Sequence, residues 1–298
     1  MSAKNVLLVL SLRFRSFAFD VLLLGDSVDR HCTYEFCDSH GDGDNCSGPQ
    51  CTYWCDPGKL PVSQLGRYDK YLSQASARCN VSGHSISYQN NYGSNPRGPY
   101  LHSAGSGGLE TGNPYFDTPA RLSHSIKLFF SRFGSPDLLV LHTTLWDLQL
   151  VHEVNGVWNP KNGSFGDVDV RNSRAWNESV LNFETNMNQR FQEVVDQTRS
   201  YTNRTLIAAR TAAWHNVNGA LLDEFNSIVV KIARRWGLAV LDFDAFVWRD
   251  NPRTIENEHK LFRDFIHPRR NLTVAWVNHL LNFLSAPKGD YPFVLHNN

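Results

Sequence analysis

Val21-Leu22-Leu23-Leu24-Gly25-Asp26-Ser27 is the stretch of this 298-residue chain that decides the fold. An apolar run of strand length ends at a glycine, and a serine follows where the strand would turn into a helix. In open α/β sheets ligands bind beyond the carboxyl ends of the strands, where loops from several strands converge. The stretch therefore predicts a first strand with functional residues at its end.

Further apolar runs alternate with helical patterns along the chain. The run at 137–142 is continuous, as expected for a strand buried on both faces of a parallel sheet. Two more strands are predicted at 205–209 and 238–241, and helices at 118–133, about 173–202, 221–236 and 271–284. This alternation is typical of an α/β fold, a doubly wound, flavodoxin-like parallel sheet with helices on both faces.

A second motif, Asp264-Phe265-Ile266-His267, lies near the C-terminus. A serine hydroxyl is a poor nucleophile at neutral pH unless an imidazole takes its proton and a third group orients that imidazole. We therefore predict Ser27 as nucleophile, His267 as base and Asp264 as the orienting carboxylate. The alternatives are that Ser27 is only a helix N-cap and that His267 is an ordinary surface or core histidine.

The order Ser27, Asp264, His267, with the serine after the first strand, resembles the GDSL/SGNH esterase and acyltransferase superfamily. The resemblance runs from about residue 20 to 284. It implies a three-layer α/β/α domain and acyl transfer through a serine acyl-enzyme. The triplet Leu145-Trp146-Asp147 after a strand resembles the PC-esterase branch, which is related to O-acetyltransferases of the trichome-birefringence-like type.

The resemblance also implies an oxyanion hole built from three loops. The backbone N–H of Ser27 is the first donor, and Gly105 or Gly107 of the Gly-rich stretch 103–108 is the predicted second donor. Trp146 stands where the superfamily has an asparagine, so Trp146, Thr143, Thr144 or a backbone amide is expected to replace it. Trp146 could equally serve packing alone.

Three more residues are predicted to contact substrate: Asp26, Arg210 and Trp214. Arg210 ends a predicted strand, so it would bind an acidic or polyhydroxylated substrate there. Its alternative role is an ion pair with Asp242 or Asp244.

The interval from residue 30 to about 112 is rich in turn-forming residues and predicts a long irregular insertion. All six cysteines lie at its start or within it. An even number in a loop-rich stretch predicts disulfides, with zinc as the rival interpretation. They are Cys32, Cys37, Cys46, Cys51, Cys55 and Cys79.

Six Asn-x-Ser/Thr sequons accompany the cysteines and favour a secretory-pathway lumen, with the Golgi included, or the outside of the cell. They begin at Asn45, Asn80, Asn162, Asn177, Asn203 and Asn271. The segment 1–19 contains a short apolar run without a clear cleavage site, which indicates either a weak signal peptide or an incomplete start. Residues 20–298 are predicted to form a single domain that includes the insertion.

Composition narrows the classes of function. The formal net charge is zero and no long basic run occurs, so nucleic acid is not an expected partner. No integral membrane span is predicted. Triad chemistry needs no cofactor or metal, and none is expected. The predicted function is a serine esterase acting on an acylated carbohydrate or another small ester. An O-acyltransferase with the same triad and a non-catalytic carbohydrate-binding or cell-surface module are the alternatives.

Overall fold

The computed structural model describes most of the predicted core of the chain. The described residues are 18–37, 51–52, 76–91, 93–94, 118–142, 144, 147–148, 158–159, 164–165, 174–213, 219–250, 252–263, 267–285 and 294–295. Within these ranges a few residues, Ser27 among them, are described by their backbone alone.

The described residues contain ten strands and seven helices. The strands are β1 Asp20–Gly25, β2 Cys51–Thr52, β3 Ser76–Val81, β4 His84–Asn90, β5 Leu138–Leu141, β6 Trp158–Asn159, β7 Ser164–Phe165, β8 Leu206–Arg210, β9 Ala239–Leu241 and β10 Val294–Leu295. The helices are α1 Ser27–Cys37, α2 Thr118–Phe133, α3 Arg174–Tyr201, α4 Gly219–Arg235, α5 Phe243–Trp248, α6 Ile255–Leu261 and α7 Arg270–Ser285.

Eight of the strands form one sheet in the order β10-β9-β8-β5-β1-β4-β3-β2. The five central strands, β9 to β4 in that order, run parallel to one another. The outer strands, β10 on one side and β3 and β2 on the other, are antiparallel to their neighbours. Strand β1 thus lies inside the parallel part, between β5 and β4, and the predicted doubly wound α/β fold is confirmed.

The sheet is the middle layer of the domain because its central strands are apolar on both faces. Every residue of Val21–Leu24 and of Leu138–Leu141 is at most 1 % exposed. Helices α2, α3 and α4 pack in sequence on one another, while α7 packs on α1 and α5. Burial of this apolar surface on two sides stabilises the fold. Among the described helices, none has the length and apolarity needed to cross a membrane.

The insertion contains regular structure that the sequence analysis did not predict. Strands β3 and β4 form a hairpin, and β4 lies directly beside β1. Its two-residue turn has positive φ at both positions, 52° at Ser82 and 86° at Gly83, which is the twist that hairpins favour. The prediction of an irregular interval up to residue 112 is therefore wrong for 76–90. The strands escaped notice because polar residues such as Ser87 and Gln89 are buried in them.

The other predicted elements are confirmed to within two residues. Helix α2 covers Thr118–Phe133 as predicted, and Gly134 ends it with a φ of +82°. A left-handed residue at this position is what a helix C-terminus commonly requires, and glycine adopts it without strain. The long helix α3 begins one residue later than predicted and ends one residue earlier.

One disulfide joins the end of α1 to the hairpin, between Cys37 and Cys79. Their Cα atoms lie 5.3 Å apart, within the usual range for a disulfide. Cys32, by contrast, is a free and buried thiol, so the six cysteines do not all pair as expected. Cys46 and Cys55 lie outside the described residues.

Candidate active site

Ser27 is the first residue of α1, and Asp26 alone separates it from Gly25, the last residue of β1. Asp26 caps the helix: its Oδ1 accepts the N–H of Val28 at 2.9 Å, and its carbonyl accepts the N–H of Arg30 at 3.1 Å. Because Asp26 performs the capping, the alternative interpretation of Ser27 as N-cap does not hold. The N–H of Ser27 belongs to the helix N-terminus, where the unpaired amides and the helix dipole favour negative charge.

A row of residues crosses three parallel strands at the level of this turn. Leu24 pairs in register with Leu141, and Leu141 with Ala209. The residues that follow these three are Gly25, His142 and Arg210. Because the strands are parallel and in register, these three residues lie side by side on the same face of the sheet.

Asp29, on the first turn of α1, reaches down onto this row. Its carboxylate lies so close to Gly25 that a Cβ atom at Gly25 would come within 1.8 Å of Asp29 Oδ2. The same oxygen accepts a bond from Nη2 of Arg210 at 2.8 Å. The absence of a side chain at Gly25 is therefore what lets the helix and the strand approach through the Asp29 carboxylate.

His142 and Asp26 complete a buried cluster of charged and polar groups. Nη2 of Arg210 lies 2.7 Å from His142 Nδ1. The same histidine nitrogen is 3.3 Å from Asp29 Oδ2 and 3.4 Å from Asp26 Oδ2. None of the four side chains is more than 1 % exposed.

Electrostatics in this cluster favour the ionised carboxylate. Burial alone would raise the pKa of Asp29, but the neighbouring Arg210 guanidinium and His142 outweigh it and lower that pKa to about 2. Burial opposes the charge of Arg210 too, yet Asp29 and Asp26 raise its pKa. The guanidinium also lies over the ring of Phe243, with its Cζ 4.8 Å from the centroid.

Asp26, Asp29 and His142 carry donor atoms that commonly bind metal ions, and these atoms lie within 4.8 Å of one another. The Arg210 guanidinium, however, already contacts the Asp29 oxygen and the His142 nitrogen that would face an ion. Two cations would then share the same few ångströms of buried space, which is electrostatically unfavourable. The geometry fits an internal ion pair better than a metal centre.

His267 is carried on a loop whose two ends are hydrogen-bonded to each other. Phe262 and Pro268 form a β-bridge, and the N–H of Arg263 donates to the carbonyl of His267 at 2.9 Å. The His267 ring lies against that of the buried His31, with centroids 4.5 Å apart. Because His31 follows Ser27 by four residues on α1, His267 lies on the helix face that carries Ser27.

The loop beyond β4 starts beside the serine turn. It includes Asn91, Gly93 and Ser94, and its Asn91 N–H donates to the carbonyl of Gly25 at 2.6 Å. Gly93 has a φ of +80°, a conformation that favours glycine. The carboxylate of Asp147 holds the loop by accepting the N–H of Ser94 at 2.8 Å and its hydroxyl at 2.9 Å. Asn91 therefore fixes the start of this loop beside the serine turn, a position that the sequence analysis missed because β4 itself was not predicted.

Several predicted site residues lie outside the described residues: Asp264, Gly105, Gly107, Thr143, Trp146 and Trp214. Asp26 and Arg210 are described, but both are buried beneath the serine turn and engaged with protein groups. The alternative partners expected for Arg210 are also wrong. Asp242 instead accepts the hydroxyl of Thr211, and Asp244 pairs with Arg253.

Solved structures with a similar fold include three hydrolases. An acetylxylan esterase from Geobacillus stearothermophilus has a TM-score of 0.40 and 13% identity, covering 90% of this chain and 95% of its own. An extracellular lipase from Streptomyces rimosus has a TM-score of 0.42 and 12% identity, covering 90% and 100%. An alpha/beta hydrolase enzyme from the metagenome of Lake Arreo, Spain, has a TM-score of 0.44 and 14% identity, covering 90% and 97%.

No family model and no curated protein matches the sequence. The similarity to solved structures concerns the fold alone. The function is therefore inferred from the residues of the site.

Proposed function

We propose that this protein is a serine esterase of the SGNH type, with Ser27 as nucleophile, His267 as base and Asp264 as the group that orients it. One observation carries the proposal. Ser27 begins α1 after the central strand β1, and the ring of His267, which follows Ser27 by 240 residues, lies against that of His31 on α1. A nucleophile at a strand-to-helix turn beside a histidine from a separate loop is the arrangement that nucleophilic catalysis requires.

In the proposed reaction His267 removes the hydroxyl proton of Ser27 as the oxygen attacks the ester carbonyl. His267 then gives the proton to the departing alcohol, which leaves an acyl-enzyme. Water attacks the acyl-enzyme with His267 again as base, and the carboxylic acid leaves. The amides of Ser27 and Gly93 are the proposed oxyanion donors, and each such donor contributes about 3 kcal/mol to lowering the barrier.

The proposed substrate is an acetyl ester on a carbohydrate. This part of the proposal rests on the resemblance of Leu145-Trp146-Asp147 to the PC-esterase branch. The O-acyltransferase alternative uses the same residues and differs only in the second step, where a glycan hydroxyl replaces water.

We further propose that the protein is a secreted or secretory-pathway glycoprotein. The disulfide between Cys37 and Cys79 supports an oxidising compartment. The asparagines of the four described sequons support it as well, because all four are exposed on the surface. They are Asn80, Asn177, Asn203 and Asn271.

The proposal is tested with protein made in an oxidising secretory host and 4-nitrophenyl acetate as substrate. We expect nitrophenol release by the wild type and none above background by Ser27→Ala. The matched control is Ser131→Ala, an exposed serine on α2 far from the motif in sequence, which should keep full activity. Equal turnover by wild type and folded Ser27→Ala would refute the serine mechanism.

Esterase and transferase are separated by the time course. A hydrolase releases nitrophenol steadily, whereas a transferase releases one equivalent and then stalls with acetyl on Ser27, as seen by mass spectrometry. If an added glycan restarted turnover and became acetylated, the transferase alternative would replace the esterase.

A further inference from the structure

We propose that Asp29 and Arg210 are positioning residues that fix the turn bearing Ser27, and that they act through their buried ion pair. The expected effect of the ion pair on the reaction rate rests on the proposed function. The geometric part, that the pair sets the position of the turn, is independent of that function.

The contacts of Asp29 join three separate parts of the chain. Asp29 lies on α1 two residues after Ser27, its carboxylate fills the space above Gly25 on β1, and Arg210 at the end of β8 holds that carboxylate at 2.8 Å. Both ends of the serine turn, the strand before it and the helix after it, thus meet one carboxylate. A shift of that carboxylate would move the first turn of α1 relative to the sheet.

Arg210 is itself fixed from several sides. Its Nη2 contacts His142 at 2.7 Å, and its planar guanidinium lies over Phe243. A planar guanidinium held in this way cannot follow the Asp29 carboxylate if α1 moves. Arg210 therefore defines one position for the Asp29 side chain. His142 in turn donates its backbone N–H to the carbonyl of Leu24 at 2.9 Å, which keeps the row in register with β1.

Stability alone does not account for a pair of this kind. Taking two charges out of water costs about as much as their attraction returns, and apolar side chains of similar volume are often as stable or more so. A buried pair that touches the glycine and the helix turn on either side of a nucleophile is therefore better explained by position. Asp26 caps α1 and so fixes where the helix begins. The Asp29–Arg210 ion pair fixes the distance between the first turn of α1 and the sheet.

The test compares Asp29→Asn, Arg210→Met and the double variant Asp29→Asn/Arg210→Met. Each single variant leaves one member of the ion pair without its partner. A change in a single variant therefore combines the loss of stability with any shift of the serine turn. The double variant removes both charges of the pair at once and leaves Asp26 beside His142 as the remaining ionisable groups of the cluster. An exposed pair between Lys231 and Glu184 supplies the control Lys231→Met/Glu184→Gln.

Three quantities are measured for each protein. Thermal denaturation gives stability, and hydrogen exchange of the Val28 and Arg30 amides gives the order of the turn. The rate at which a fluorophosphonate labels Ser27, with kcat and KM for 4-nitrophenyl acetate, gives the reactivity of the serine.

We expect the double variant to regain most of the thermal stability that the singles lose, yet to show at least tenfold faster exchange at Val28 and Arg30. Serine labelling and kcat should fall about 10- to 100-fold with little change in KM, since small misplacements of a reacting group cost rates of this order. The control variant Lys231→Met/Glu184→Gln should leave both the amide exchange at Val28 and Arg30 and the reactivity of the serine unchanged.

The inference would be overturned if the double variant recovered the wild-type amide exchange and serine labelling rates along with its thermal stability. The ion pair would then contribute to stability alone. A wild type that the fluorophosphonate does not label would refute Ser27 as nucleophile instead. In that case the exchange data still decide whether the pair positions the turn.

Discussion

The imidazole of His31 lies against that of His267, with ring centroids 4.5 Å apart and planes inclined by 59°. His31 is fully buried on α1, and the guanidinium of Arg263 lies 2.8 Å from its Nε2. Arg263 and His267 belong to the same bridged loop, since the Arg263 amide donates to the His267 carbonyl. One buried histidine thus supports the predicted base directly and also holds the loop that carries it.

Replacement of His31 should therefore lower the rate through His267. We expect His31→Ala to reduce kcat for 4-nitrophenyl acetate about tenfold, which corresponds to about 1.4 kcal/mol, because the His267 ring loses the surface that restricts it. His31→Phe keeps an aromatic surface but cannot accept from Arg263, so its loss should be smaller. Steady-state kinetics on folded proteins check this, and equal losses in both variants would assign the effect to Arg263 instead.

A side chain at Gly25 should be more costly than one at a glycine in open space. We expect Gly25→Ala to lower the free energy of unfolding by about 3 kcal/mol, because the new methyl group overlaps an Asp29 carboxylate that Arg210 holds in place. Gly134→Ala is the control: its φ is +82° and nothing lies within 4 Å of the new Cβ, so only backbone strain of about 1 kcal/mol is added. Denaturant unfolding measures both, and similar losses would contradict the close approach.

Asp244 should make stability depend on pH. Burial, together with Asp242 and Asp223, raises its pKa to about 6 despite the neighbouring Arg253. A carboxyl whose pKa is raised on folding stabilises the protein below its unfolded pKa, and this contribution is lost as the pH rises through about 6.

Asp244→Asn should therefore gain stability relative to the wild type by about 2 kcal/mol between pH 4 and pH 7. Denaturant unfolding at several pH values gives this difference. Asp250→Asn, which replaces the carboxyl of an exposed ion pair with the same amide, is the control for the substitution itself. A constant difference between Asp244→Asn and the wild type would show that Asp244 titrates normally.

The disulfide should contribute to stability mainly by restricting the unfolded chain. Cys37 and Cys79 are separated by 42 residues, and closing a loop of this length is worth about 4 kcal/mol in the chain-entropy account. We expect the double variant Cys37→Ser/Cys79→Ser to lose stability of this order in guanidinium unfolding. An unchanged midpoint, or peptide mapping that finds Cys79 bonded elsewhere, would contradict the pairing.

The parts of the fold that the sequence predicted are those in which burial and residue type agree. Strand β5 is wholly apolar and helix α2 has a proline at its start and a glycine after its end, so both were located closely. The hairpin β3–β4 was missed because its buried positions include serine and glutamine. The amino-acid composition of this segment is typical of a loop. Its strand structure depends on the pairing of β4 with β1, which lies far away in sequence.

Within the site, local motifs were informative and distant partners were not. Ser27 and His267 could be proposed because each belongs to a short motif. The ion pair of Arg210 joins residues 181 positions apart, and no local pattern distinguishes Asp29 from Asp242 as its partner. The choice depends on which strand ends are neighbours, which the sheet order decides.

The disulfide has a consequence for how this chain can diverge. Its Cα atoms lie 5.3 Å apart, and Ser76 enters the sheet three residues before Cys79. The chain between Cys37 and Cys79 thus begins and ends at nearly the same place, and greater length between such fixed ends costs little. Residues can therefore be inserted between the two cysteines, in evolution or by design, while the disulfide keeps the end of α1 beside the hairpin.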